Sequence, residues 1–126
     1  MRQQLTNLND SYSFLIQSEP LKTKFETVVT ETIDDILSAF GNKNKQAIYR
    51  HLENNYDVKK EAIPLKIEDF TRALEQTFGS VGKLIEIKII ESLHEKCRDF
   101  SYVPKKGELN FVDFVQSLQN HLQLEN

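Results

Sequence analysis

Asp34 and Asp35 stand side by side, and three histidines with a single cysteine are the other side chains whose chemistry invites attention. Paired carboxylates act as acid and base only when one pocket holds both and splits their proton affinities, and a nucleophile needs a base beside it. Asp34 and Asp35 fall opposite the apolar stripe of the segment that carries them, so the spacing predicts a solvated charged face. His51, His94 and His121 lie on three different predicted helices. His94 and Cys97 are three apart, a spacing that sets two ligands toward one metal, but a closed tetrahedral site needs two more. A histidine packed at the core edge beside a buried cysteine accounts for the same pair. The chain has four glycines, and "GSVG" lacks both the spacing and the following lysine-hydroxyl pair of a phosphate-cradling loop. No catalytic, cofactor-binding or metal-ligating residue follows, and the expectation is a protein that is not an enzyme and carries no cofactor.

The run "KKGELNFVDFVQSL" resembles the second half of an EF-hand, with Gly107 at the sharp turn, Leu109 at the apolar loop position, Asp113 at the closing acidic position and Phe114 opening the exit helix. Calcium also needs oxygen ligands earlier in the loop. Tyr102, Pro104 and Lys106 occupy those places and offer no carboxylate, so no calcium site is expected.

The elements that must position any site are helical. In "KFETVVTETIDDILSAFG", apolar residues recur 3, 4, 8, 11, 12 and 15 positions after Phe25, at Val28, Val29, Ile33, Ile36, Leu37 and Phe40. Gly41 is the expected stop, and Asn42 the expected cap of a second helix with Ala47, Ile48, Leu52 and Tyr56 facing inward. Pro64 marks "DVKKEAIPLK" as an extended connector. A third helix runs from Ile67 to Phe78 and closes at Gly79; Ser80 is expected to cap a fourth, apolar nearly all round and therefore read as the buried central one. "PKKG" predicts a tight turn or tiny hairpin near 100–109, and Asn110 caps a last helix carrying Phe111, Phe114, Val115, Leu118 and Leu122. The fold class is all-α, a compact bundle of about five main helices.

Residues 21–126 read as one domain and residues 1–20 as an extension. In the latter, Leu5, Leu8, Tyr12 and Leu15 form a narrow seam suited to an extra helix, a linker or a homodimer contact. With 126 residues, 39% of them hydrophobic, the chain has material for one core. It lacks any long apolar run, a secretory leader or a pair of cysteines, so a cytoplasmic protein without a membrane segment is expected.

The formal net charge is -3, yet residues 42–60 carry five basic groups against two acids. Lys43, Gln46, Arg50 and Asn54 share one stripe of the second helix, which follows the first after a short Gly-containing turn. Arg, Gln and Asn read base edges, and the arrangement has the form of a helix-turn-helix with this helix in the recognition position. An Arg50–Glu53 ion pair on a solvated face explains the same residues. The candidate interaction surface is Lys43, Lys45, Gln46, Tyr49, Arg50 and Glu53.

"K-x-AIY-x-x-LE" at Lys45, Ala47, Ile48, Tyr49, Leu52 and Glu53, then "IP" at Ile63 and Pro64, then "F-x-x-AL-x-x-x-FG" from Phe70 to Gly79 resemble the Nitrososphaera output domains, a small archaeal family. Members occur attached to receiver or sensor modules of two-component systems and as stand-alone chains. The resemblance covers roughly residues 25–118 and implies a helical output or interaction domain without assigned catalytic residues. Only about twenty residues precede it here, so a signal would have to arrive through a separate partner. The expected role is a signalling or protein-interaction module; the other expectation is a small DNA-binding regulator.

Overall fold

The computed structural model describes residues 22–104, 107 and 109–125. The seam at Leu5, Leu8, Tyr12 and Leu15 lies outside the described residues, as do Lys105, Lys106 and Glu108 of the expected turn. Five α-helices, α1 (Lys24–Ser38), α2 (Asn42–Tyr56), α3 (Ile67–Phe78), α4 (Ser80–Lys96) and α5 (Phe111–Glu125), are joined by short segments, one of them a 3-10 helix at Lys60–Leu65. Among the described residues there is no strand, so the bundle is all-α.

Thr23 starts α1 with a reciprocal cap. Its hydroxyl accepts from the Glu26 N–H at 3.1 Å, and the Glu26 carboxylate accepts from the Thr23 N–H at 3.0 Å. The apolar spacing then turns Phe25, Val29, Ile33 and Leu37 into the core, with Val28 and Ile36 at its margin. Phe40 leaves this stripe and is 42% exposed, because α1 ends at Ser38 and the chain turns before reaching it. Asn42 and Ser80 are the first residues inside their helices rather than caps; Gly41 and Gly79 precede them in backbone conformations of positive φ. At Gly79, φ is +56° and ψ is -125°, a region closed to side chains, and this one residue turns α3 directly into α4.

That corner is tightened further at Gly82. A Cβ there would lie 2.5 Å from the Leu74 carbonyl oxygen and 2.8 Å from its carbon, so the absence of a side chain lets α4 press onto the backbone of α3. α4 packs on α1, α3 and α5. Its apolar circumference nevertheless splits. Ile85, Ile89, Ile90 and Leu93 are buried, whereas Val81, Leu84 and Ile87 are 46%, 57% and 42% exposed. The expectation of an all-round buried helix fails because three neighbouring helices do not encircle a fourth.

Pro64 sits within the 3-10 helix rather than in extended chain. The flanking turn bonds, from Ala62 N–H to the Lys59 carbonyl at 2.9 Å and from Lys66 N–H to the Ile63 carbonyl at 3.0 Å, do not use the donor that proline lacks. Ile63 and Pro64 are both buried, and burial of that apolar pair is what folds the connector against α1. Asn110 does cap α5, its side-chain oxygen accepting from the Asp113 N–H at 2.8 Å.

The core is one continuous cluster in which Phe25, Phe70 and Phe114 are the largest fully buried side chains. Phe114 is enclosed by Phe100 at 5.6 Å, Tyr102 at 5.2 Å and His94 at 5.2 Å between ring centroids, each edge to face.

On an exposed helix, Gly→Ala stabilises by about 1 kcal/mol. Gly82→Ala is expected to reverse that sign and destabilise by about 1–3 kcal/mol, the range for overpacking, in urea unfolding followed by circular dichroism. An unchanged or higher midpoint would show that the α3–α4 approach is not tight in solution.

Candidate functional site

α2 contacts α1, the 3-10 helix and α3, and its three faces have three different fates. The face carrying Lys45, Tyr49 and Leu52 turns inward. Tyr49 is only 8% exposed, and its hydroxyl donates to Asp34 Oδ1 at 2.9 Å. Lys45 Nζ reaches Asp34 Oδ2 at 3.1 Å and the Ser38 hydroxyl at 3.0 Å. Lys60, from the 3-10 helix, reaches Asp34 Oδ1 at 3.2 Å, with its ammonium 5.0 Å from the centre of the Tyr49 ring.

Asp34 is therefore a hub and not part of a solvated face. Burial works against its ionisation, but donation from Tyr49, Lys45 and Lys60 outweighs burial and holds the carboxyl below its usual range. Burial, with the Asp34 carboxylate next, pushes the Tyr49 phenol far above its ordinary value, so it remains a donor. A carboxylate saturated by three donors is a poor base. The cluster pins α2 and the 3-10 helix to α1, and Lys45 and Tyr49 thereby leave the expected interaction surface. Asp35 takes a different partner, Lys96 at 3.6 Å.

Lys43, Gln46, Arg50 and Glu53 do form an exposed face, along with Asn54. Among the described residues neither Lys43 nor Arg50 makes an ion pair, so the Arg50–Glu53 pair of the alternative explanation is not formed.

The third face borders a groove of about 340 Å³. Ala47, Ile48, Asn44 and His51 of α2 form one wall, and Phe40, Thr77, Phe78, Val81 and Ile85 the remainder. No Asp, Glu, Lys or Arg lines it. Ala47 and Ile48 were expected to face the core; Ala47 is exposed and Ile48 half-buried because α4 lies too far across the groove to cover them. His51 bridges the two walls, with Nε2 3.0 Å from the Thr77 hydroxyl and Nδ1 2.8 Å from the Asn55 amide. Tyr56, also half-buried, donates to Gln76 Oε1 at 2.9 Å and fastens the far end of α2 to α3.

One group of residues escaped the sequence reading. Glu86 of α4 is 4% exposed and faces Glu75 of α3, which is paired with Lys83 at 3.0 Å. Burial first, and the facing Glu75 second, push the Glu86 carboxyl up to about 7; Lys83 and the bond to Glu86 hold Glu75 below its usual range. The signal was present in the sequence: Glu86 shares its helical face with Gly82, Ile89, Ile90 and Leu93, an acid set in an inward stripe.

The two histidines near the carboxyl-terminal helix pack against aromatic rings, His94 on Phe114 and His121 on Phe100, and Cys97 is buried. Among the described residues no group of three or more His, Cys, Asp or Glu side chains is arranged to hold a metal ion, and no helix is long and apolar enough to cross a membrane. No family model, curated protein or solved structure matches this chain.

Because the Asp34 carboxyl is held below its unfolded value near 3.8, its contribution is present above that pH and is lost as pH falls through the lower folded value. Asp34→Asn is expected to destabilise the fold by about 1–3 kcal/mol at pH 7, because one amide oxygen replaces a charged acceptor shared by the buried Tyr49 hydroxyl and the two lysines. The difference from the unsubstituted protein should shrink as the pH falls below 3.8. Urea titrations at pH 7 and pH 3 check this, and a pH-independent difference would contradict the hub's ionisation.

Proposed function

We propose that this chain is a non-enzymatic interaction module of a signalling system, and that it receives an amphipathic helix of a partner protein in the groove between α2 and the α3–α4 corner. The groove is the observation that carries the reading: an uncharged trough of about 340 Å³, open at the surface, with Phe40 and Val81 42% and 46% exposed in its walls. Leu84, one turn along α4 from Val81, extends the apolar surface at 57% exposure. Helix-in-groove recognition uses apolar anchors at i, i+3, i+4 and i+7, each contributing about 1.5–3 kcal/mol on full burial. Along the α2 edge, Lys43 and Arg50 outnumber Glu53, which favours a partner helix with acidic flanks. The resemblance to archaeal output domains supports the signalling side of the reading, in a cytoplasmic two-component pathway.

The second reading is a small helix-turn-helix regulator. Lys43, Gln46 and Arg50 point outward together and without ion pairs among the described residues, as a recognition helix requires. Glu53 stands on the same face and opposes phosphate approach.

Fluorescence anisotropy with two labelled probes separates the readings. The first probe is an 18-residue alanine-based helical peptide with leucines at i, i+3, i+4 and i+7 and two glutamates at each flank; the second is a mixed-sequence DNA duplex. Saturable peptide binding is expected, weakened at least tenfold by Ala47→Glu in the groove wall and several-fold by Arg50→Glu. Peptide binding indifferent to Ala47→Glu would overturn the groove reading. So would self-association abolished by the same substitution, which would give the groove to a second copy of the chain. Duplex binding that falls steeply with salt and vanishes in Arg50→Glu would install the DNA-binding reading instead.

A further inference from the structure

A second cavity, separate from the α2 groove, opens where α3, α4 and the start of α5 converge. Its volume is about 240 Å³. Glu75, Lys83 and Glu86 line one side, with Thr71 beside them, and Ile87, Ile90, Phe111 and Val112 supply an apolar wall. Of the lining residues only Glu75 on α3 and Lys83 and Glu86 on α4 titrate; α5 contributes Phe111 and Val112. Two features distinguish this place from a surface acidic pair. Glu86 is 96% buried, and its Oε2 has no hydrogen-bond partner among the described residues. A buried acceptor without a donor is costly, and the cavity in front of it is where a donor can enter.

The charges are also incomplete. Two carboxylates face one ammonium, and that ammonium is on Glu75 at 3.0 Å with its side chain 63% exposed. Burial and the facing Glu75 push the Glu86 carboxyl up to about 7, so near neutral pH the pair holds a shared proton about half of the time. A positively charged donor would replace that proton and satisfy Oε2 together. The adjoining wall is apolar, which suits a hydrocarbon body attached to the charge. At the share of liquid volume that a water takes, 240 Å³ is room for roughly eight waters, so the occupant is a compact molecule.

We propose that the cleft between α3, α4 and α5 binds a small primary ammonium compound, its nitrogen donating to Glu86 Oε2 and its hydrocarbon body lying against Ile87, Ile90, Phe111 and Val112. Lys83 stays on Glu75 and keeps that carboxylate from competing for the same nitrogen. Thr71, whose hydroxyl donates to the Ile67 carbonyl at 2.7 Å, keeps an acceptor lone pair for a further donor on the ligand. Metal ions are a poor fit: among the described residues no group of three or more His, Cys, Asp or Glu side chains is arranged to hold one, and the Asn110 side-chain oxygen, which also lines the cleft, accepts from the Asp113 N–H.

The test is a proton–nitrogen correlation NMR titration of the full chain with n-butylammonium chloride at pH 8, beside n-butanol, which has the same body without the charge. Saturable shifts are expected at the amides of Thr71, Glu86 and Phe111 with a millimolar midpoint, and at least tenfold weaker with n-butanol. Glu86→Gln keeps the shape of the side chain and removes its charge; binding should fall at least tenfold while the rest of the spectrum keeps its dispersion. Below pH 7 the affinity should drop about tenfold per unit, as protons compete for Glu86. Equal binding of n-butanol would make the cleft a purely apolar pocket and overturn the proposal. Undiminished binding to Glu86→Gln, or no saturable shift at these amides, would overturn it as well. If Glu86→Gln does not fold, the butanol comparison and the pH dependence in the unsubstituted chain decide the matter.

Discussion

Helix α4 lies against the backbone of α3 at Gly82, where even a methyl group would sit 2.5 Å from the Leu74 carbonyl oxygen. Much of what is distinctive in this bundle depends on that approach. One turn further along α4, it carries Glu86 to the side of Glu75, which follows Leu74 in α3. At the same corner it sets Val81 and Ile85 opposite the C-terminal turn of α3, and those residues form the wall that faces α2 across the groove. A looser crossing would open the carboxylate pair to water and move the groove wall. Gly79 and Gly82 act together here: the first allows the reversal of direction, the second the closeness of the two helices after it.

Asp34 has a comparable role for α2. That helix buries little of itself, only Tyr49 and Leu52 fully, and hydrophobic contact alone would leave its rotation weakly specified. The carboxylate with its three donors supplies a directional constraint, since each bond has a narrow range of distance and angle. With Lys45 and Tyr49 committed inward, Ala47 and Ile48 must border the groove, and Lys43, Gln46 and Arg50 must face water. His51 and Tyr56 repeat the device on the other flank by bonding to α3. The polar network thus decides which apolar residues of α2 stay uncovered.

The two acidic centres illustrate opposite outcomes of burying a carboxyl group. Asp34 meets three donors and stays ionised. Glu86 meets another carboxylate and one oxygen stays unpartnered among the described residues, so it holds its proton to about pH 7. Desolvation acts in the same direction on both, and the number of donors within reach separates them. This difference makes the first a structural fastening and the second a place where chemistry is unfinished.

The sequence by itself determined the fold class, the position of the helices and much of the core. The spacing of Phe25, Val29, Ile33 and Leu37 marked one face of α1, the run from Ile67 to Gly79 marked α3 with its stop, and Asn110 marked the start of α5, because apolar periodicity and capping are local properties. Tertiary structure alone decided the fate of the polar residues. Asp34 is eleven, fifteen and twenty-six residues from Lys45, Tyr49 and Lys60 in the chain, so neither its role as a hub nor the removal of Lys45 and Tyr49 from the surface could be read from helical spacing. The same holds for Pro64, whose connector folds because Ile63 and Pro64 find a buried place against α1, and for Val81, Leu84 and Ile87, left exposed where α4 has no neighbour. Periodicity says which residues share a face; only the packed partners decide whether that face meets core, water or another carboxylate.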